Sequence, residues 1–483
     1  MKRTKIFVTL STSILCLALL ITGIYAAIKA GFGVNTTMSF ITDGVFLEVS
    51  GGIYRGEDEH SLEILDGDET YTLYKAQNFL TSDGSSTGNL NIDAWQPNDV
   101  YFTPNERTIQ FRIKFRNCGT SRMTVIPGDI TGLPTGVTAV DDASSILSIG
   151  SKEEGTYTLT LTLAASHSTD ISQAKFDVTF EAVDTDAKAA EQASFFTGSG
   201  TELQGLTSAY TNASTADKRI LYIPSTYTSI KAGESYGFGG GSPTLNLTTK
   251  THIIFPEGFT TINQYAFCSA YNLCILHLPS TLTTVGLGAF DHDSSCSFVV
   301  HKNNVNFSSS NGHLYNKDKT TLIRGGYIIP QVLDLAEGLK NIGPHAFYGS
   351  AVKEIVLPKS VEVIGEAAFY STGLTDSFLD QISNVTTIGA SAFSYCSGFK
   401  KMILPSKLTS LGDGFISDAY PTKIFIPASL KNISGSPFSY YGGSGTIYCE
   451  AEEKPAGWAS TWNYTGASYL TNIVWGATLS DLE

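Results

Sequence analysis

Charged residues are scarce in this chain of 483 residues. Asp, Glu, Lys and Arg together make up 16% of it, the formal net charge is −14 at pH 7, and no segment is a block of Lys and Arg. An acidic chain without a basic cluster lacks the electrostatic footprint of a nucleic-acid-binding protein and has little attraction for anionic lipid. The sequence therefore predicts no nucleic-acid partner.

The local motifs of common enzyme sites are also missing. The chain contains no HExxH helix, GxxxxGK[ST] loop or GxGxxG turn. Its eight histidines stand at no persuasive spacing from Cys or Ser, although a triad assembled from distant residues stays open. We expect no enzyme, no cofactor and no metal site, and we interpret the acidic run 291–293 as a solvated turn.

A long apolar run occurs at the N-terminus alone. Met1–Lys5 is positively charged and Ile6–Ile24 is mostly apolar, as in a secretory signal. The motif ending at Ala26 suits signal peptidase, so residues 1–26 are predicted to be a cleaved leader. The alternative is an uncleaved anchor, since the run approaches the length of a membrane span. Both predict a secreted or cell-surface protein, and the uncleaved form alone would contact a membrane.

Cysteine is sparse, with seven in the chain, of which Cys16 lies in the leader. The other six are an even number in an exported chain, which permits disulfides. Their spacings match no metal motif. Cys268, Cys274 and Cys396 fall inside repeats where a small buried apolar side chain explains them equally well.

What the chain has in abundance is internal repetition in its C-terminal half. A small residue followed by Phe recurs about every 23 residues, apart from one longer gap. The phenylalanines are Phe267, Phe290, Phe347, Phe369, Phe393, Phe415 and Phe438. A second series, an apolar residue followed by Pro, keeps step with the first. Two markers in fixed phase predict a solenoid of stacked coils with the phenylalanines as an internal spine.

The unit "AVKEIVLPKSVEVIGEAAFYS" shows how one coil is expected to form. Ile355 and Leu357 point inward from a short strand, which Pro358 closes because proline cannot continue a ladder. Gly365 is expected to permit a tight bend, and Phe369 to fill the interior of the coil.

These repeats resemble the BspA-type leucine-rich repeats of bacterial surface proteins. Three segments carry the resemblance: the pattern "LPKSVEVIGEAAF", the hairpin-like insert Asn304–Ile323, and the ending Ile447–Asn463. In that ending, Trp458 and Trp462 are expected to cap the last coil. The resemblance implies adhesion to host or matrix components, or coaggregation with other cells.

The region before the repeats has a different pattern. The segment "TIQFRIKFRN" alternates Ile109, Phe111, Ile113 and Phe115 with polar residues, which is typical of a half-buried strand. Similar alternations follow and are separated by turn clusters, so a β-sandwich is predicted. It loosely resembles the Ig-like or camelysin-like export modules of Gram-positive bacteria.

The sequence thus predicts a mainly β protein. The expected segments are the leader 1–26, a β-sandwich 31–184, a linker with a short helix 185–218, a leucine-rich-repeat solenoid 219–463 with a hairpin insert at 298–330, and a C-terminal cap and tail 447–483.

The repeats also predict a binding surface. Inward positions fall one, three and six residues before the repeat proline, so the residue two before it should face outward. These residues are Tyr222, Ile254, His277, Val356, Phe378, Ile403 and Phe425, with Lys353, Lys400, Lys401 and Lys423 beside them. An apolar stripe next to lysines on an acidic protein indicates a docking surface. Alternatively, strands favour such side chains regardless of partners, and edge lysines discourage aggregation.

Two functions follow from these patterns. The first is an exported adhesion or interaction protein that binds a protein or glycan at the cell surface through the strands of the solenoid. The alternative is a structural matrix or envelope protein without a specific ligand, whose sandwich associates with itself by exchange of edge strands.

Overall fold

The structure is a computed structural model that describes residues 28–40, 47–55, 63–64, 71–74, 88–95, 101–102 and 107–482, with gaps at 142–145, 167–170, 236–240, 293–295, 327–332, 434, 440 and 442–444. The chain divides between Lys188 and Ala189 into two compact units. Within the described residues, every helix is too short or too polar to cross a membrane. The predicted leader lies outside the described residues.

The first unit contains two sheets. Its described strands are β1 (Ile28–Phe40), β2 (Leu47–Arg55), β3 (Glu63–Ile64), β4 (Tyr71–Tyr74), β5 (Gly88–Trp95), β6 (Tyr101–Phe102), β7 (Thr108–Asn117), β8 (Met123–Thr131), β9 (Val137–Asp141), β10 (Leu147–Ile149), β11 (Glu154–Leu163) and β12 (Ile171–Asp184). One sheet has the order β10-β8-β12-β1-β5, with β6 paired to β1. The other has the order β3-β2-β7-β11-β9, with β4 paired to β2.

The apolar side chains of alternate positions bring the two sheets together. In β7, the four apolar side chains are buried, whereas the arginines and the lysine between them are partly or fully exposed. Phe180 of β12 lies 5.0 Å, between ring centroids, from both Phe115 of β7 and Tyr157 of β11. Because these rings come from opposite sheets, the predicted β-sandwich is confirmed.

The second unit is a solenoid with short strands on two faces. The first face is formed by ten strands, six of which precede a repeat proline: β15 (Ile220–Tyr222), β19 (Thr251–Ile254), β21 (Leu273–Leu278), β23 (Ser297–Val300), β27 (Leu333–Asp334), β29 (Ile355–Val356), β32 (Lys401–Ile403), β34 (Lys423–Ile426), β36 (Thr446–Cys449) and β38 (Ile473–Trp475). They form the parallel sheets β15-β19-β21-β23, β27-β29 and β32-β34-β36-β38.

The second face is built mostly from the strands before the repeat glycines. It comprises β13 (Phe196–Ser199), β14 (Glu202–Leu206), β16 (Ser229–Ile230), β20 (Thr261–Ile262), β22 (Thr284–Val285), β24 (Phe307–Ser310), β25 (His313–Asn316), β26 (Thr321–Arg324), β28 (Asn341–Ile342), β30 (Val363–Ile364), β31 (Thr387–Ile388), β33 (Ser410–Leu411), β35 (Asn432–Ile433) and β37 (Gly457–Trp458). The sheet order is β13-β14-β16-β20-β22, then β24-β25-β26-β28-β30-β31-β33, then β35-β37.

A few elements lie outside the two faces. They are a small hairpin of β17 (Glu234–Ser235) and β18 (Gly241–Ser242), the helices α1 (Thr185–Glu191), α2 (Ser208–Asn212), α3 (Thr215–Lys218) and α4 (Asp376–Leu379), and the 3-10 turns Ala193–Phe195 and Leu479–Leu482.

The repeat phenylalanines lie between the two faces. All seven are 3% exposed or less. The ring of Phe369 stacks in parallel on those of Phe347 and Phe393, with centroids 5.2 and 5.8 Å apart. Most buried apolar side chains of the solenoid fall into two large clusters that meet in the hairpin insert, where Leu314 belongs to one and Tyr315 to the other.

The repeat glycines are required by close approach of neighbouring coils. A Cβ atom on Gly365 would lie 2.7 Å from the nitrogen of Pro344, too close for any side chain. The left-handed conformation instead occurs two residues before the repeat Phe, as at His345 (φ 59°) and Ala367 (φ 48°). The chain does turn at Gly365, whose carbonyl accepts from the Ala368 nitrogen at 3.3 Å, but the glycine itself is required because it makes room for the adjacent backbone.

The segment 185–218, predicted as a linker with a short helix, contains that helix together with the strands β13 and β14 and the short helices α2 and α3. Strand β14 pairs in parallel with β16, so the second face begins inside this segment. The Gln192 amide donates to the carbonyls of Asp217 and Ile220, at 3.1 and 3.0 Å, and accepts from the Tyr222 nitrogen at 2.9 Å. These bonds join the segment to the first coil.

The hairpin insert consists of the antiparallel strands β24, β25 and β26. Strand β26 also pairs in parallel with β28, so the insert returns the chain to the second face. Residues 298–300, predicted as the start of the insert, instead lie in β23, which pairs with β21 on the first face.

Tryptophans cover the far end of the stacked rings. Trp458 and Trp462 are each 3% exposed, and their ring centroids lie 4.7 Å apart. The Trp462 ring lies 6.1 Å from that of Phe438, the last repeat phenylalanine. The Trp458 Nε1–H donates to the Leu430 carbonyl at 2.8 Å, which satisfies the polar atom of a buried indole.

Candidate functional site

The predicted outward stripe on the first face is mostly buried. Tyr222, Ile254 and His277 are 4%, 0% and 3% exposed, whereas Val356 is 59% exposed. The expected exposure of the first three is wrong because β15, β19 and β21 have buried side chains on both of their faces. Alternation predicts an outward position, but it does not show that this side of the strand meets water.

Phe378 points into the solenoid. It lies on the short helix α4, where a first-face strand was expected, and its ring centroid is 5.0 Å from that of Phe369 and 5.8 Å from that of Phe393. This coil has Asp380 where the other coils have the repeat proline. The predicted outward position of Phe378 is wrong because a helical turn does not keep the alternation of a strand.

A later segment of the chain covers the other end of the stripe. Phe425 is 5% exposed and packs with Ala477 and Leu482, and Ile403 lies partly buried beside them. The Lys423 Nζ donates to the Leu482 carbonyl at 2.6 Å. The 3-10 turn Leu479–Leu482 therefore lies over this part of the first face.

The four predicted lysines lie in different environments. Lys353 and Lys400 are exposed, whereas Lys401 and Lys423 are partly buried and adjacent across β32 and β34. The exposed side chains of Lys353, Val356 and Lys400 are what remains of the predicted surface, between the two covered ends. We call these three residues the open section of the first face.

A pocket of about 250 Å³ lies where the second face is interrupted. It is placed between β22, which ends one sheet, and β28 of the next sheet, beside β26 of the insert. The lining comprises residues 285–291, Thr321, Ile323, Arg324 and residues 343–345. We call it the seam pocket.

A carboxylate and an imidazole meet at the seam pocket. The Asp291 Oδ2 lies 2.8 Å from the His345 Nδ1, and Asp291 is 4% exposed. The His345 ring also stacks on Tyr348, with centroids 4.8 Å apart and planes 10° apart. The interpretation of 291–293 as a solvated turn is wrong for Asp291, since this residue lies beneath the following coil. Asp293 lies outside the described residues.

A buried arginine faces the same pocket. Arg324 is 3% exposed, and its Nη1 donates to the carbonyls of His345 and Tyr348 at 3.0 and 3.3 Å. The guanidinium thus holds the turn that presents His345, and its positive charge offsets that of the Asp291 carboxylate. Within the described residues, His, Cys, Asp and Glu side chains form no group of three that could hold a metal ion.

Burial favours the neutral forms of the ionisable groups next to this pair. Burial lowers the pKa of His292. The positive charge of Arg324 also lowers this pKa, whereas the negative charge of Asp291 raises it. Burial, assisted by the Asp291 charge, raises the pKa of Tyr348 to about 12. The Tyr348 ring stacks on Tyr370 with centroids 4.4 Å apart, so an aromatic wall adjoins the Asp291–His345 pair.

Sequence reasoning missed this site because its polar residues are far apart in the chain. Asp291 and His345 are separated by 54 positions, and Arg324 lies in the insert between them. No single motif contains them. The longer gap between Phe290 and Phe347 was the available signal, because an interruption of regular stacking leaves space between coils.

The repeats match a known family. The BspA type Leucine rich repeat region matches residues 220–319 and 331–442, in six copies. The solenoid of this chain is a BspA-type leucine-rich-repeat region. Its two matched stretches lie on either side of the seam pocket's insert strand β26, and the resemblance inferred from the repeat pattern is confirmed.

Several solved structures show similarity to this chain. The pneumococcal vaccine antigen PcpA is 20% identical, with a TM-score of 0.34 over 54% of this chain and 68% of that one. A leucine-rich repeat protein from Eubacterium ventriosum is 22% identical, with a TM-score of 0.30 over 48% and 78%. A leucine rich cell surface protein from Faecalibacterium prausnitzii is 18% identical, with a TM-score of 0.32 over 55% and 61%. No curated protein matches the chain.

Proposed function

We propose that this chain is an exported protein, secreted or held at the cell surface, whose BspA-type region binds a protein or glycan in adhesion or cell–cell contact. The observation that supports this most directly is the open section of the first face. There Val356 is 59% exposed, and the exposed Lys353 and Lys400 stand just before the first-face strands β29 and β32.

The chemistry of the open section suits a polar macromolecular surface. An exposed apolar side chain near two cations can contact an apolar group while the lysines pair with anionic groups of the partner. The chain is acidic overall. The two lysines therefore form a local region of positive charge that would steer an anionic partner to this part of the first face. Location at the cell surface is supported by the BspA-type repeats and by the predicted leader.

The test compares two double variants of the full chain on a glycan array and on immobilised extracellular-matrix proteins. Lys353→Glu with Lys400→Glu reverses both charges of the open section. Lys340→Glu with Lys431→Glu makes the same charge change at exposed lysines that directly precede the second-face strands β28 and β35. We expect the first pair to abolish binding and the second pair to retain it. Equal binding by both would contradict the proposal.

One observation favours the structural alternative. Strand β9 lies at the edge of its sheet among the described strands, and its Val140 is 63% exposed. An exposed apolar edge strand can pair with another chain. Sedimentation velocity over a range of concentrations tests this. Polymers that disappear in a Val140→Lys variant would favour a matrix protein, and a monomer at every concentration would exclude it.

A further inference from the structure

We propose that the seam pocket binds a single neutral, hydroxyl-bearing ring, a sugar residue, through a hydrogen bond to Asp291. The proposal goes beyond the binding function of the first face, since this pocket belongs to the interrupted second face. It rests on an unsatisfied buried oxygen, a balanced pair of buried charges, and a cavity of limited size with apolar walls.

The unsatisfied oxygen is the Oδ1 of Asp291. This atom is buried and has no hydrogen-bond partner among the described residues, whereas the Oδ2 of the same carboxylate is engaged by His345. Leaving a buried carboxylate oxygen without a donor costs free energy, and native proteins rarely do so unless a water or a ligand supplies the donor. Asp291 lines the seam pocket, so the donor is expected to come from there.

The charges at the pocket favour a neutral ligand. The Asp291 carboxylate and the buried Arg324 guanidinium both line the pocket, so together they give it no net charge that would draw in an anion or a cation over a neutral ligand. A hydroxyl group carries no charge and can both donate and accept hydrogen bonds. It can therefore donate to Asp291 without adding a charge to a site where the two existing charges offset each other.

The size and the walls of the cavity restrict the ligand further. Its volume of about 250 Å³ corresponds to roughly eight water molecules at about 30 Å³ each, and it lies below the range of about 300–1,000 Å³ typical of drug-sized ligands. Val285, Ile323 and Pro344 give the lining an apolar part suited to the C–H face of a ring. Leu287 is 45% exposed, so the pocket can be reached from solvent at this residue.

The test is ligand-observed saturation-transfer NMR with the full chain and a panel of free hexoses and N-acetylhexosamines, followed by titration of any sugar that binds. In Asp291→Asn, one amide oxygen remains for His345, and an amide N–H group replaces the second acceptor. We expect at least tenfold weaker binding. Leu287→Trp places a large side chain at an exposed lining position, and we expect it to abolish binding without disturbing the buried pair.

Val305→Trp is the matched control, because it adds the same side chain at a position that is 75% exposed and lies outside both the pocket lining and the first-face strands. We expect it to bind the sugar as the unchanged protein does. Absence of saturation transfer from every sugar would mean that the pocket holds water only, and would overturn the proposal. So would unchanged binding in Leu287→Trp, or a loss in Val305→Trp alone. If Asp291→Asn does not fold, the comparison of the two tryptophan variants decides.

Discussion

The rings of Phe347 and Phe369 lie parallel, with centroids 5.2 Å apart and planes 9° apart, although each belongs to a different coil. Both side chains are buried, at 1% and 0% exposed. Each ring therefore forms part of the packing surface of the next coil. Because a solenoid is held together by contacts between neighbours, the loss of one ring affects the coils on both sides of it.

We expect Phe347→Ala to lower the free energy of unfolding by about 3–5 kcal/mol, since it leaves a cavity in a close-packed interior. Urea denaturation followed by tryptophan fluorescence measures this. Tyr420→Ala is the control, because this aromatic ring is 54% exposed and its removal should cost little. A similar loss in both variants would show that Phe347 does not support the stack.

A second prediction concerns the contact between neighbouring coils. Gly365→Ala should destabilise the solenoid, because the new Cβ would lie 2.7 Å from the Pro344 nitrogen and could be accommodated only if the backbone moved. In Gly205→Ala the nearest atoms lie 3.7 Å from the new Cβ, an ordinary contact. Thermal melting of the two variants should therefore show a clear loss for the first and little change for the second. Equal melting temperatures would contradict this account of the repeat glycine.

The third prediction is a loss of stability in acid. Burial lowers the pKa of His313 from 6.5 to about 4, and a second proton would have to enter at the Nδ1, which already accepts a hydrogen bond from the Gly326 N–H. Since the unfolded chain binds this proton more readily, His313 contributes stability that is present above pH 6.5. That stability is lost as the pH falls towards 4, by about 3 kcal/mol in total.

The variant His313→Gln keeps an acceptor for the Gly326 N–H, which bonds the His313 Nδ1 at 2.8 Å, but it cannot titrate in this range. Urea denaturation at a series of pH values should give a smaller decrease in stability between pH 6.5 and 4 than in the unchanged protein. Some decrease should persist, because burial also lowers the pKa of His252 to about 4. Identical pH profiles would contradict the prediction.

The fourth prediction concerns cysteine. The six cysteines of the described residues carry thiols, and none forms a disulfide. Burial raises the pKa of the Cys449 thiol to about 12 and also raises that of Cys396, so both should resist alkylation. Cys118 and Cys274 are partly exposed, whereas the other four are buried. Iodoacetamide treatment of the folded protein, followed by peptide mass spectrometry, should label Cys118 and Cys274 first. Labelling of all six in urea is the control, and a disulfide-linked peptide pair would contradict the prediction.

Much of the fold could be predicted from local patterns. The alternation in "TIQFRIKFRN" places Phe111 and Phe115 on a buried face, and the period of the small-residue-then-Phe pairs places Phe347 and Phe369 in the interior. Both patterns are read within one strand or between neighbouring coils, where spacing in the sequence and spacing in the structure are directly related.

The candidate surfaces depend on residues that are distant in the sequence, and here local patterns failed. Phe425 occupies an outward position, yet Leu482 covers it, and nothing in the pattern around Phe425 reports that contact. Asp291 looked like part of a polar turn, but its partner His345 lies beyond the insert. Burial of a polar residue is decided by whichever segment packs over it, and period alone does not identify that segment.

The division of the solenoid core at Leu314 and Tyr315 has a consequence for its cooperativity. Polar interactions join the two clusters across the insert; they include the hydrogen bond from the His292 nitrogen to the Tyr348 carbonyl at 3.2 Å and the pair of Asp291 with His345. When one interface in a linear array of coils is weak, the coils on either side of it unfold in separate transitions. We expect the solenoid to unfold in two transitions, and a ligand that bridges Asp291 and the following coil to bring their midpoints together.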